Sequence, residues 1–183
     1  PERGRIFPGD FIATAEETGL IVELDRWVLH QACRQLVEWR KTYPSARNLT
    51  TSVNLSVRQF SRGDLVDVVK AVLRDTKLPD DALCLEITES VLLEGSPRAS
   101  EILEGLKNGG AKLHLDDFGT GYSSLSYLHR FPVDALKIDR SFVMAMRPDG
   151  GGQEIVRAIV ALARNLELDV IAEGIENAGQ RAA

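Results

Sequence analysis

Ala111-Lys112-Leu113-His114-Leu115-Asp116-Asp117-Phe118-Gly119-Thr120-Gly121 is the stretch on which the fold turns. Its first half, Ala111 to Leu115, has the length and apolar content of a buried strand. That strand runs straight into two aspartates and then into glycines, which let the backbone turn sharply and come close to a ligand. Working outward, four more segments read as short strands: Leu49 to Leu55, Leu83 to Thr88, Ala135 to Ile138 and Asp169 to Ala172. Helical patterns separate them. Pro8 to Thr18 is predicted as a helix stopped by Gly19, and Val22 to Lys41 as a long amphipathic one with Leu24, Trp27, Val28, Gln31, Leu36 and Trp39 near helical spacing. Further helices are expected over Gly63 to Thr76, Pro97 to Asn108 and Gln153 to Leu166, and a short one after the glycine-rich loop.

Strand onsets recur roughly 22 to 35 residues apart, the length of a βα unit. Short strands alternating with helices give a parallel sheet, either an open doubly wound one or a barrel. Five such units point to an α/β fold of the TIM-like (β/α) barrel type, incomplete at both ends. The abrupt start at Pro1-Glu2-Arg3-Gly4 and the polar close after Ala172 are expected to be the ends of a piece cut from a longer chain.

Composition narrows the function. A chain of 183 residues with 44% hydrophobic and 27% charged residues suits one domain with a real core. A formal net charge of -5 argues against a nucleic acid polymer as partner. No apolar run is long enough to span a bilayer and no signal peptide is visible, so no membrane contact is expected from this segment and the location is expected to be cytoplasmic. Cys33 and Cys84 each lie in apolar sequence and read as buried free thiols.

Each predicted strand ends in polar residues of one kind. The first ends at Asn54, the second carries Glu86, the third runs into Asp116 and Asp117, the fourth holds Lys137, and the fifth is followed by Glu173. Parallel β/α folds gather their C-terminal strand ends on one side, where active sites sit. Four carboxylates brought together repel unless cations compensate them. An all-oxygen set of Asp, Glu and Asn suits Mg²⁺ or Mn²⁺ far better than zinc. Adjacent aspartates can turn to two ions, although Asp117 could equally cap a following turn. Lys137 is rarely a bland residue inside a strand, and reads either as a partner for a phosphate oxygen or as an ion pair with Asp139 or an aspartate across the barrel. Two ions about 3.5–4 Å apart suit in-line displacement at phosphorus. Glu173 then reads as general base or as a further ligand. His114, two residues before Asp116, is a weaker candidate for the same face, and His30 reads as an ordinary helix residue.

These residues, in this order, resemble the EAL domain of bacterial cyclic di-GMP phosphodiesterases over essentially the whole chain. The similar stretches are Phe11 to Gly19, Ser52-Val53-Asn54-Leu55-Ser56, Leu85-Glu86-Ile87-Thr88-Glu89-Ser90, Asp116 to Ser124, Leu136-Lys137-Ile138-Asp139 and Ala172-Glu173-Gly174-Ile175-Glu176. The resemblance implies a barrel that uses Mg²⁺ or Mn²⁺, with two ions, to hydrolyse cyclic di-GMP to linear pGpG. It implies Asn54, Glu86, Asp116 and Asp117 as metal ligands, Lys137 near the attacking water and Glu173 as the base. Glu89 matches a glutamate that steadies the loop after the aspartate pair, and Glu176 another supporting glutamate. The family's Glu-Ala-Leu segment, which supplies a further ligand, is expected just ahead of Pro1, and the last strands beyond Ala183. A homodimer and a fused GGDEF or sensor domain are further expectations of the resemblance. Two alternatives stand beside it: a catalytically inactive module that binds cyclic di-GMP as a receptor, and a different metal-dependent barrel enzyme acting on a phosphorylated or enolisable substrate.

Overall fold

A computed structural model of the chain describes residues 4–93, 97–120, 128–147 and 151–182. Within them lie five strands, β1 (Thr51–Asn54), β2 (Leu83–Thr88), β3 (Lys112–Phe118), β4 (Ala135–Ile138) and β5 (Asp169–Ala172). They form one sheet in sequential order, and each neighbouring pair is parallel. Helices α1 (Pro8–Thr18), α2 (Ile21–Thr42), α3 (Val57–Phe60), α4 (Leu65–Thr76), α5 (Glu89–Leu93), α6 (Pro97–Lys107), α7 (Arg140–Ala145), α8 (Gln153–Asn165) and α9 (Ala178–Ala182) lie before, between and after the strands, joined by turns and loops, with a 3₁₀ turn over Pro44–Ala46.

Strand alternation divides the sheet into two faces. Val53, Leu83, Leu85, Ile87, Leu113, Leu115, Leu136 and Ile138 all point to the face covered by helices, and all are buried in one continuous core. α2 covers β1, α6 covers β3, and α8 covers β4 and β5. The opposite face carries Asn54, Glu86, His114, Asp116 and Lys137, by the same period of two. The edge strands differ from the central ones. β2 and β4 are buried along nearly their whole length, whereas β1 and β5 are largely exposed.

Several details depart from the sequence expectation. On α2 the core is built by Ile21, Val22, Leu29, Cys33 and Leu36, while Trp27 and Trp39 are exposed. The helix axis is set by packing on β1 and α4, and the aromatic residues fall on its outer side. Cys33 and Cys84 are buried and free, as expected. β3 runs three residues further than its apolar core suggests, because it continues through the aspartate pair to Phe118. Residues 121–124 of the glycine-rich loop, and most of the short helix expected after it, lie outside the described residues.

The extension of β3 contains an irregularity. Leu115 pairs with Leu136 and Phe118 with Ile138, so three steps on β3 match two on β4. The extra residue falls at Asp117, whose φ of 54° lies in the left-handed region. This is a β-bulge. Aspartate tolerates that conformation better than most side chains, at a cost of about 1 kcal/mol.

Candidate active site

The floor of the site is Lys137, on β4. Its side chain is buried, and its Nζ lies 2.7 Å from Glu86 Oε2, 3.0 Å from Asp116 Oδ1 and 2.6 Å from Glu173 Oε1. Two strands, and the residue that follows a third, thus each send a carboxylate to one ammonium. Burial by itself would push Lys137 down. The hydrogen bonds it donates to Glu173, Glu86 and Asp116 outweigh that and hold the ammonium above its ordinary range. Lys137 therefore stays charged throughout the physiological range.

Glu86 is 8% exposed and lies beside His114 and Asn54 in the strand register. Asn54 ends β1 and is exposed to the open face. The turn after it is anchored from outside the sheet: Ser56 Oγ donates to Asp25 Oδ2 on α2 at 2.5 Å, and Ser56 Oγ accepts from Gln59 N to cap α3. Asp25 was not visible as a site residue in the sequence, because nothing in a helix pattern reveals which loop a half-buried carboxylate will meet. Burial is the main reason its carboxyl lies above the usual range, partly countered by Ser56.

The aspartate pair is shaped by the bulge. Asp117 N donates to Asp116 Oδ1 at 3.0 Å, and the Asp117 carbonyl accepts from Thr120 N and from Thr120 Oγ1 at 2.8 Å. Burial, then repulsion from Asp116, Asp139 and Glu173, raises the Asp117 carboxyl above the ordinary carboxylate range. Asp139 does not pair with Lys137. It caps α7, accepting from Ser141 N at 2.9 Å and from Ser141 Oγ.

The chain resembles one family along its full length: the EAL domain model matches residues 1–183. The chain belongs to the EAL domain family. Among curated relatives, the cyclic di-GMP phosphodiesterase PdeR of Escherichia coli (strain K12) is 46% identical over 182 residues, spanning 100% of this chain and 27% of that protein. The bifunctional diguanylate cyclase/cyclic di-GMP phosphodiesterase MucR of Pseudomonas aeruginosa is 45% identical, over 99% of this chain and 26% of its own length. The chain thus spans about a quarter of these relatives. Among solved structures, the PaMucR phosphodiesterase in complex with c-di-GMP superposes with a TM-score of 0.87 at 43% identity, covering 97% of this chain and 76% of that one. The EAL enzyme Bd1971, in a cAMP- and cyclic-di-GMP-bound form, superposes at 0.90 with 32% identity over the whole chain and 50% of its own. EAL domains are TIM-like barrels, and the sequential parallel sheet fits that architecture.

The remaining expected residues of this EAL domain lie around Lys137 at differing distances. Glu89 opens α5 directly after β2 and is buried at 8% exposure. Glu176 stands in the open and accepts from Arg140 Nη2 at 2.9 Å, so it meets the site through α7 rather than by direct contact with Lys137. His114 occupies the same face as Glu86, and burial holds its imidazole below the ordinary range. Among the described residues no group of three such side chains encloses a metal cage; the three carboxylates converge on the Lys137 ammonium instead. The acid surplus that remains, felt at Asp117, and the all-oxygen donor set nonetheless fit a hard divalent cation. No described helix is long and apolar enough to cross a membrane.

Proposed function

We propose that this EAL domain hydrolyses cyclic di-GMP to linear pGpG with Mg²⁺ or Mn²⁺, as the hydrolytic part of a larger cytoplasmic regulator that carries a GGDEF or sensor domain and pairs as a homodimer. The observation that carries this reading is the convergence of Glu86, Asp116 and Glu173 on the buried Lys137 at the C-terminal strand ends. Two longer relatives, 45–46% identical over this stretch, are named as cyclic di-GMP phosphodiesterases, which supports the same substrate.

Asn54, Glu86, Asp116 and Asp117 are the residues that would hold the cations. When bound, divalent ions polarise the scissile phosphate and make a water nucleophilic near neutral pH. The chain's own contribution is placement. Lys137 keeps a fixed positive charge beneath the carboxylates, which orients Glu86 and Asp116 toward one another. Glu173, 36% exposed at its side chain and hydrogen-bonded to Lys137, faces both solvent and the site. It takes the proton from the attacking water as the new P–O bond forms and the ester P–O3′ bond breaks, with the released 3′ oxygen protonated from solvent. Glu89, at the start of α5, steadies the turn after Asp117.

The deciding experiment is turnover of cyclic di-GMP by the full-length protein in Mg²⁺ or Mn²⁺, beside Glu173→Ala. The expected result is pGpG from the parent and none from the variant. Tight binding without product in either metal would overturn hydrolysis and make the domain a cyclic di-GMP receptor.

A further inference from the structure

Two turns follow the acidic residues at the strand ends: the one after Asp117 and the one after Glu173. Both end at a glycine with positive φ, Gly119 at 93° and Gly174 at 72°. A side chain on either glycine would meet the same element. A Cβ on Gly174 would lie 2.4 Å from Arg140 Cγ, and a Cβ on Gly119 would lie 3.2 Å from Phe142 Cε2. Both neighbours belong to α7, the six-residue helix that follows Lys137 and Asp139.

We propose that α7 is the positioning element of the active site, with Arg140 fixing the Glu173 turn through Gly174 and Phe142 fixing the Asp116–Asp117 turn through Gly119. Arg140 suits the task in two ways. Its stem lies on the Gly174 backbone, and its guanidinium is tethered by Glu176 Oε1 at 2.9 Å and Met144 Sδ at 3.3 Å. Glu173 N also donates to Ile138 O at 3.1 Å, so the base hangs from the end of β4 on one side and under Arg140 on the other. Phe142 is half-buried beside Ile159 of α8, which keeps the ring against Gly119. Asp139 ties the start of α7 to the end of β4 through its cap on Ser141. One short helix thereby couples the geometry of Lys137, the aspartate pair and the base. Arg140 and Phe142 are positioning residues, acting through the two glycine turns.

The proposal rests on the hydrolytic reading above, and its test separates the two. In the full-length protein, Arg140→Ala should lower kcat for cyclic di-GMP roughly 10–100-fold with KM little changed, as misplaced supporting groups do. Arg140→Met, which keeps the stem over Gly174, should recover part of that loss. Gly174→Ala should be impaired, and Gly174→Ala with Arg140→Ala should turn over faster than Gly174→Ala alone. Parent-level kcat in Arg140→Ala, or no gain in the double variant, overturns the role of Arg140. If the parent itself makes no product, the hydrolytic reading fails, and a crystal structure of Arg140→Ala still decides the positioning role. Glu173 displaced from Lys137 supports it; Glu173 Oε1 still 2.6 Å from Lys137 Nζ overturns it.

Discussion

The two faces of one sheet are built by the same strands and held together by opposite means. On the helix-covered face, Leu83, Leu85, Leu113 and Leu136 are wholly buried and their side chains interact through packing. On the open face of the same strands, Glu86, Asp116 and Lys137 are held by charge. The difference teaches where sensitivity should lie. Apolar packing is indifferent to ions, whereas a single ammonium among carboxylates answers to any change in local charge.

The largest expected effect is on the open face alone. Glu86→Gln keeps the shape and a hydrogen bond to Lys137 but removes a charge, so pGpG formation should fall at least about 100-fold while the circular dichroism spectrum stays at the parent's. Unchanged turnover would take Glu86 out of the cation-binding set. Next, Lys137→Met strips the counter-charge from buried Glu86 and should destabilise by about 3–5 kcal/mol in urea titrations without divalent ions. The deficit relative to the parent should narrow when Mg²⁺ is added. At neutral pH the lost contribution is the full one: a raised lysine pKa stabilises fully below its unfolded value and fades only as the solution becomes strongly alkaline. Leu136→Ala, its neighbour on the other face, should cost about 2–5 kcal/mol by leaving a cavity. Its deficit should be the same with and without Mg²⁺. A Mg²⁺-dependent deficit there would mean that the two faces are not independent. The smallest effect concerns Cys33, whose thiol burial pushes up to about 11. It should resist iodoacetamide at pH 8 in the folded protein and react readily in denaturant; equal rates would show that the helix-covered core opens often.

How much of this was legible in the sequence follows the same division. β2 and β4 begin and end where their sequence patterns do, since burial on the helix side fixes those residues, and β5, though largely exposed, keeps the same bounds beside β4. Asn54, Glu86, Asp116, Lys137 and Glu173 could be grouped because a parallel sheet brings its strand ends together whatever the details. The short helices α3, α5 and α7 were not legible. Each has at most six residues, too few for a periodic signal, and α3 and α7 are set by caps from Ser56 and Asp139 that only the fold puts in place. Nor was the hub visible. Lysine in a strand announces a partner, but the sequence left open whether that partner was Asp139 or residues across the sheet; distance chose Glu86, Asp116 and Glu173, and gave Asp139 to a helix cap.

The bulge at Asp117 means that the second aspartate is supernumerary to the sheet. Asp116 and Phe118 would sit on their present faces in a regular strand with no residue between them, since Leu115 and Phe118 already pair with Leu136 and Ile138. A chain shortened by that one residue would relieve the left-handed backbone and lose nothing from its ladder. Stability and the proposed cation binding are therefore separable here by a single deletion, which would leave a better strand and one carboxylate fewer on the open face.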